Sequence, residues 1–140
     1  MTEVWYPELA DAIEAHAAAL GVTFRTAKHH IEHEDWLLSA LGRPAQHAHY
    51  RAAGIVAQAA VLAHGLCTNH GFVDGNKRTA WLLTLGFLEM NGYRLRRPHT
   101  TGHPVEVTRD WLVGLTTRAV TAEQFENWLR RHLTRIEPRV

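Results

Sequence analysis

Two stretches that are apolar on almost every side, separated by about six residues, constrain this chain more than any other feature. From about Ala52 to Asn69 the residues Ile55, Val56, Ala59, Ala60, Leu62, Ala63 and Leu66 leave no polar face. From about Asn76 to Met90, Ala80, Leu83, Leu85, Phe87 and Leu88 do the same, and Asn91-Gly92 supplies a left-handed exit. A helix without a polar face must be buried, so the rest of the chain has to wrap this central pair. The remaining periodicity is helical too. Leu9, Ile13, Ala17 and Leu20 recur at spacings of three and four between Pro7 and Gly21, which predicts a first helix. Glu34 and Asp35 open a second run through Trp36, Leu37, Leu38 and Leu41, predicted to be short because Gly42 and Pro44 follow. Tyr93 to Arg97 reads as a short strand or extended turn, and Val105 to Leu115 as another helix. Thr121 and Gln124 form a capping box for a last helix carrying Phe125, Trp128, Leu129 and Leu133. The expected fold is an all-α bundle.

A chain of 140 residues without repeats, low-complexity tracts or a Pro/Gly/Ser linker predicts a single domain over residues 1–140. With 46% hydrophobic and 21% charged residues it can bury an ordinary core. A net charge of +1 gives no general attraction for nucleic acid or an anionic membrane, so any anion site must be local. The single cysteine, Cys67, excludes an internal disulfide and a four-thiolate zinc site. No run approaches the ~20 apolar residues of a membrane helix, and the first residues lack a secretion signal, so the expected location is the cytoplasm.

The chemistry is concentrated between the two apolar helices, in His70-Gly71-Phe72-Val73-Asp74-Gly75-Asn76-Lys77-Arg78-Thr79. A helix beginning near Asn76 presents amides of Gly75 to Arg78 that have no intrahelical partner, at the positive end of its dipole. Phosphate is a natural ligand there. Gly75 would let the backbone approach it closely, Lys77 would add a point charge and Arg78 a forked donor. Asp74 beside a phosphate would be repelled unless a cation lay between them, which implies a Mg²⁺ shared by one carboxylate and the phosphates. His70, closing the preceding helix, could take a proton from an incoming hydroxyl, since an imidazole titrates near neutrality. Phe72 would turn inward and anchor the loop. Each part alone has a plainer reading, the histidine as a solvated residue and Asp-Gly-Asn as a turn or cap. Their co-occurrence in one short loop points to transfer of a phosphorus-containing group to a hydroxyl. A catalytically silent nucleotide- or partner-binding module is the competing reading.

This segment resembles the Fic/Doc superfamily, whose signature is close to HxFxDGNGR, and specifically the death-on-curing branch with HxFxDGNKR. The chain carries His70, Phe72, Asp74, Gly75, Asn76, Lys77 and Arg78 at the specified places. Leu37 to Pro44 with Tyr50, and Ala63 to Leu66, are similar to flanking parts of the family. The resemblance implies a compact six- to seven-helix bundle. In it His70 is general base, Asp74 binds Mg²⁺, and Gly75, Asn76, Lys77 and Arg78 hold the phosphates of ATP. Lys77, where the wider group has glycine, implies delivery of the γ-phosphate rather than AMP. The branch's acceptor is a threonine of elongation factor Tu, whose modification halts translation. AMP transfer to a protein hydroxyl remains the alternative activity.

Three departures stand out. Trp81 replaces the second arginine of the wider pattern, Leu82 replaces a polar residue, and Gly71 replaces a common proline and should loosen the loop. No segment matches the inhibitory pattern [ST]xxxE[GN], since Ala122 stands four before Glu126-Asn127 and Thr121 reads as a cap. The resemblance therefore implies control in trans by an antitoxin whose flexible tail crosses the active-site groove. Among the other polar residues, His29, His30 and His33 are expected on a solvated helix face rather than around zinc. His16 and His64 should be satisfied core or groove residues. Arg94, Arg96 and Arg97 form a basic turn, and the five tryptophans are expected in the core or on a partner surface.

Overall fold

The computed structural model describes residues 3–96 and 104–139. Among them are helices α1 (Leu9–Leu20), α2 (Phe24–His29), α3 (Glu34–Arg51), α4 (Ile55–Asn69), α5 (Asn76–Met90), α6 (Pro104–Thr117) and α7 (Ala122–His132), with strands β1 (Tyr93–Leu95) and β2 (Leu133–Arg135). The fold is all-α, and the two strands form one small antiparallel ladder that pairs Tyr93 with Arg135.

As the two apolar stretches require, α4 runs through the middle, packed against α3, α5, α6 and α7. Leu62, Ala63 and Cys67 have no solvent exposure. Its one deeply buried amide, Gln58, is satisfied: Tyr6 donates to its Oε1 at 2.8 Å and its Nε2 donates to the Ala53 carbonyl at 2.9 Å. α5 lies between α4 and α1 and buries Phe87 and Leu88. α7 closes the far side with a stripe in which Phe125 and Trp128 stack at 5.7 Å and Trp111 joins them at 6.0 and 5.7 Å.

α5 has the bounds expected from sequence, and the Thr121–Gln124 capping box of α7 forms as predicted. α1 starts at Leu9 behind a Glu8–Asp11 capping box, so Pro7 precedes the cap rather than opening the helix. α4 begins at Ile55, three residues later than expected, because Ala52 takes a left-handed conformation that closes α3. The larger correction concerns α3. Gly42 and Pro44 do not end it; the helix continues to Arg51 with Pro44 buried inside. A mid-helix proline forfeits one hydrogen bond and costs ~3 kcal/mol. Packing of Leu37, Ala40, Leu41 and Pro44 into the core alongside α4 offsets that cost. Gly65 permits the close approach: a Cβ there would lie 3.2 Å from the Ala40 Cβ.

The short helix α2, capped by Thr23, was not expected from the sequence. It also breaks up the supposed histidine face, since His29 ends α2, His30 caps it and His33 is the N-cap of α3. Strand β1 matches the predicted extended segment as far as Leu95, while Arg97 lies outside the described residues. Arg94 faces Glu89 at 3.9 Å and Arg96 donates to the Arg131 carbonyl at 2.9 Å, so these two arginines serve local structure.

Candidate active site

The α4–α5 connection holds the candidate site. Its entry is His70, the C-cap of α4, whose left-handed conformation (φ 50°, ψ 51°) turns the chain sharply out of the helix. Its exit is Gly75, the N-cap of α5, also left-handed at φ 74°. The Gly75 carbonyl accepts the first helical bond from the Thr79 amide at 3.0 Å, which leaves the amides of Asn76, Lys77 and Arg78 without an intrahelical acceptor. The space that Gly75 leaves open is taken by the protein. A Cβ there would lie 2.9 Å from Leu20 Cδ2, so the residue is glycine for its backbone angle and for packing against α1.

The loop between these turns is pinned from both directions. The Gly71 carbonyl accepts from the amides of Glu32 and His33 at 2.9 and 3.0 Å, and the Val73 amide donates to the His30 carbonyl at 2.8 Å. Gly71 is buried so close to α3 that a Cβ would sit 3.0 Å from that of Leu37. The loosening expected from glycine at this position is opposed by those bonds and that contact. Phe72 is 2% exposed and turned inward, as the anchor role requires. Asn76 clamps it: its Oδ1 accepts from the Phe72 amide at 3.0 Å and its Nδ2 donates to the Phe72 carbonyl at 2.9 Å. The Asn76 side chain is thus committed to the loop, and its backbone amide is what remains for a ligand.

Around this turn lies a cavity of about 200 Å³ whose lining includes His70, Asp74, Gly75, Asn76, Lys77 and Arg78. All six residues singled out from the sequence therefore share one pocket. His70, Asp74, Lys77 and Arg78 are exposed, and none of them is in an ion pair among the described residues. Sequence reading did not anticipate the pocket's other lining, Cys67 from α4 and Thr116 from α6. Burial pushes the Cys67 thiol up to about 11, against smaller opposing effects of a Thr116 hydrogen bond and the Lys77 charge. A thiol held neutral is a wall of the pocket rather than a nucleophile.

Beneath the turn lies a second polar group that the sequence places in the core or along a groove. His16 of α1 has no solvent exposure and stacks on Phe72, with ring centroids 3.9 Å apart and planes 4° from parallel. Its Nδ1 is 2.8 Å from the Thr79 hydroxyl, which itself donates to the Gly75 carbonyl at 2.9 Å. Since the hydroxyl proton is used there, His16 donates from Nδ1, and its Nε2 accepts from His30 Nδ1 at 3.0 Å. Burial first, then the neighbouring His30, pull the His16 imidazole down to about 4; the Arg78 charge adds to this and Asp74 opposes it. A neutral ring thus ties α1 and the α2 cap to the middle and the exit of the α4–α5 turn.

The donor set fits a magnesium ion only in company with phosphate. Asp74 offers one exposed carboxylate, and no group of three His, Cys, Asp or Glu side chains among the described residues could form a protein-only cage. Mg²⁺ characteristically binds through one or two carboxylates plus phosphate oxygens and water. Trp81 is half-buried and packs 6.3 Å from Trp128, so the place of the wider family's second arginine belongs to the apolar core.

An all-α fold with a pinned turn, three helix amides lacking an intrahelical acceptor, two cations, one carboxylate and an imidazole defines a helical protein with an exposed polar site at a helix N-terminus. The comparison with protein families narrows this class. The Fic/DOC family model matches residues 6–88, more than half of the chain and including the whole turn, and the chain belongs to that family. It is also similar to Toxin Doc of Mycolicibacterium smegmatis, with 53% identity over 38 residues, which are 27% of this chain and 29% of that protein. The match spans less than a third of the relative's length.

Proposed function

We propose that this chain is a toxin-type transferase that moves the γ-phosphate of ATP to a hydroxyl of a protein, with elongation factor Tu as the expected acceptor and arrest of translation as the result. The observation that carries the reading is the convergence of His70, Asp74, Lys77 and Arg78 on one cavity at the N-terminus of α5. The free amides of Asn76 to Arg78 receive phosphate oxygens, with Lys77 and Arg78 countering their charge. Asp74 would hold Mg²⁺, which would neutralise charge that develops on the polyphosphate. His70 takes the proton of the acceptor hydroxyl. The acceptor oxygen then bonds to the γ-phosphorus, the bond to the β–γ bridging oxygen breaks, and ADP leaves with that electron pair. His16, Thr79 and Asn76 fix the turn so that base and cradle keep their relative positions. The packing of Trp81 favours phosphate over AMP transfer, because no cation stands at that place to hold a second arrangement of phosphates. A partner protein supplying an inhibitory tail in trans is part of the same proposal, on the strength of the likeness to Toxin Doc.

The test offers ATP labelled separately at the α and γ positions, with purified elongation factor Tu or a cell lysate as acceptor. Label from γ alone supports the phosphotransferase; label from α means AMP transfer. A general base contributes ~10²–10⁴-fold, so His70→Ala should lose about that much turnover while binding Mg-ATP with near-unchanged affinity. A fully active His70→Ala protein refutes the base assignment. Nucleotide binding that is indifferent to Mg²⁺ and to Asp74→Asn, with no transfer to any acceptor, would support the silent module.

A further inference from the structure

Charge is distributed unevenly along this nearly neutral chain. Residues 36–73 contain no aspartate or glutamate, yet they carry Arg43, Arg51 and four histidines up to His70. They build α3 from its third residue onward and all of α4. There a second cavity, of about 250 Å³, is lined by Arg43, Gln46, His47, Tyr50, Arg51 and Val61, and it shares no lining residue with the catalytic pocket. Every polar side chain in that lining can donate a hydrogen bond, and none carries a negative charge. Neither Arg43 nor Arg51 is in an ion pair among the described residues. Arg43 instead donates to His64 Nδ1 at 3.4 Å. Burial and then the charges of Arg43 and Arg118 hold that imidazole in its neutral form. The helix dipole accounts for a cation at Arg51, in the last turn of α3, but not for Arg43 two turns earlier.

We propose that this α3–α4 pocket docks an extended acidic peptide segment of another protein. Arg43, His47 and Arg51 recur every fourth residue, hence about 6 Å apart along the helix. Alternate side chains of an extended peptide are about 6.6–6.8 Å apart on one face. Carboxylates on every second residue can therefore meet Arg43, His47 and Arg51 in turn. Tyr50, 80% exposed, offers a ring beside them for an apolar residue. Three donors over two turns are a short track for nucleic acid, whose affinity grows with the number of phosphates neutralised, and this favours the peptide. The pocket borders α4, which also carries His70 at its end, so a docked segment would lie on the same helix that leads to the catalytic turn.

The test uses no nucleotide, so its outcome is separate from that of the transferase reading. Fluorescein-labelled peptides of equal length are titrated with the full chain and followed by anisotropy. One has glutamate at alternate positions, one has the same glutamates in a block, and one has glutamine throughout. The alternating peptide should bind best and the glutamine peptide worst, with affinity falling as salt is added. Arg51→Gln should weaken the alternating peptide about threefold to fivefold, the scale of one exposed ion pair, and Arg51→Glu further. Arg94→Gln, beside Glu89, should change nothing. Arg51 is exposed, so unchanged urea unfolding of Arg51→Gln would show that the fold persists. Equal binding of the glutamine peptide, insensitivity to both Arg51 variants, or tighter binding of an oligonucleotide of matched charge would each overturn the proposal.

Discussion

Acidification should destabilise this protein through one buried ring, and the size of the effect can be worked out. His16 is fully enclosed, so its proton uptake is set by the fold. Unfolded, the imidazole protonates through its ordinary 6.5; folded, it stays neutral down to about 4. Between those values the unfolded chain binds more protons, so stability is complete above pH 6.5 and is lost as the pH falls. Each pH unit in that window costs about 1.4 kcal/mol, giving about 2 kcal/mol at pH 5 and about 3 kcal/mol by pH 4. Against a total of roughly 5–15 kcal/mol for a domain, that is a large fraction. The charged groups facing the ring do not cancel it: His30 and Arg78 oppose a proton there, and Asp74 alone favours one. Urea unfolding followed by tryptophan fluorescence at pH 7, 6 and 5 measures the slope. His16→Gln keeps a polar side chain that does not titrate. It should be less stable at pH 7 and show a shallower slope, smaller by about 2 kcal/mol at pH 5. Histidines that make no contact with His16 drop out of the difference, and replacing His30, bonded to it at 3.0 Å, by glutamine in both proteins removes its share. Parallel slopes for the two proteins would refute the reasoning.

Gly75→Ala places an L-residue at φ 74° and a Cβ 2.9 Å from Leu20 Cδ2, so it should lose at least about 1 kcal/mol in urea unfolding. Asn76→Ala leaves the buried Phe72 amide and carbonyl without partners and should cost about 1–3 kcal/mol, with the largest amide chemical-shift change at Phe72. Gly114→Ala would set a Cβ 2.8 Å from Val120 Cγ2 and should cost about 1–3 kcal/mol by overpacking the turn between α6 and α7, measured in the same way.

What could be read from the sequence, and what could not, divides along a physical line. The α5 helix was legible at both ends because its limits are local: a glycine forced left-handed at one end and Asn91-Gly92 at the other. The Thr121 cap of α7 was legible for the same reason. α3 was misread because Gly42 and Pro44 are local stop signals, while the force that overrides them is packing against α4 across Gly65. α2 is too short for any periodicity to show, and β2 exists through its pairing with β1.

The site divides in the same way. His70, Asp74, Lys77 and Arg78 lie within nine residues, so a single turn brings them together and the sequence displays them side by side. His16, His30, Cys67 and Thr116 reach the same turn from α1, the α2 cap, α4 and α6, and no spacing in the chain announces it. The candidate reacting groups can be local because the proposed anion cradle is a helix N-terminus, a property of backbone. Its support cannot be local, since two left-handed residues in six need bonds from outside the loop to stay where they are. His16, stacked on Phe72 and linked through Thr79 to Gly75, touches both the middle and the end of that loop. A loop sequence carrying the family motif therefore specifies which groups could react, while α1 and the α2 cap decide whether they are held in register.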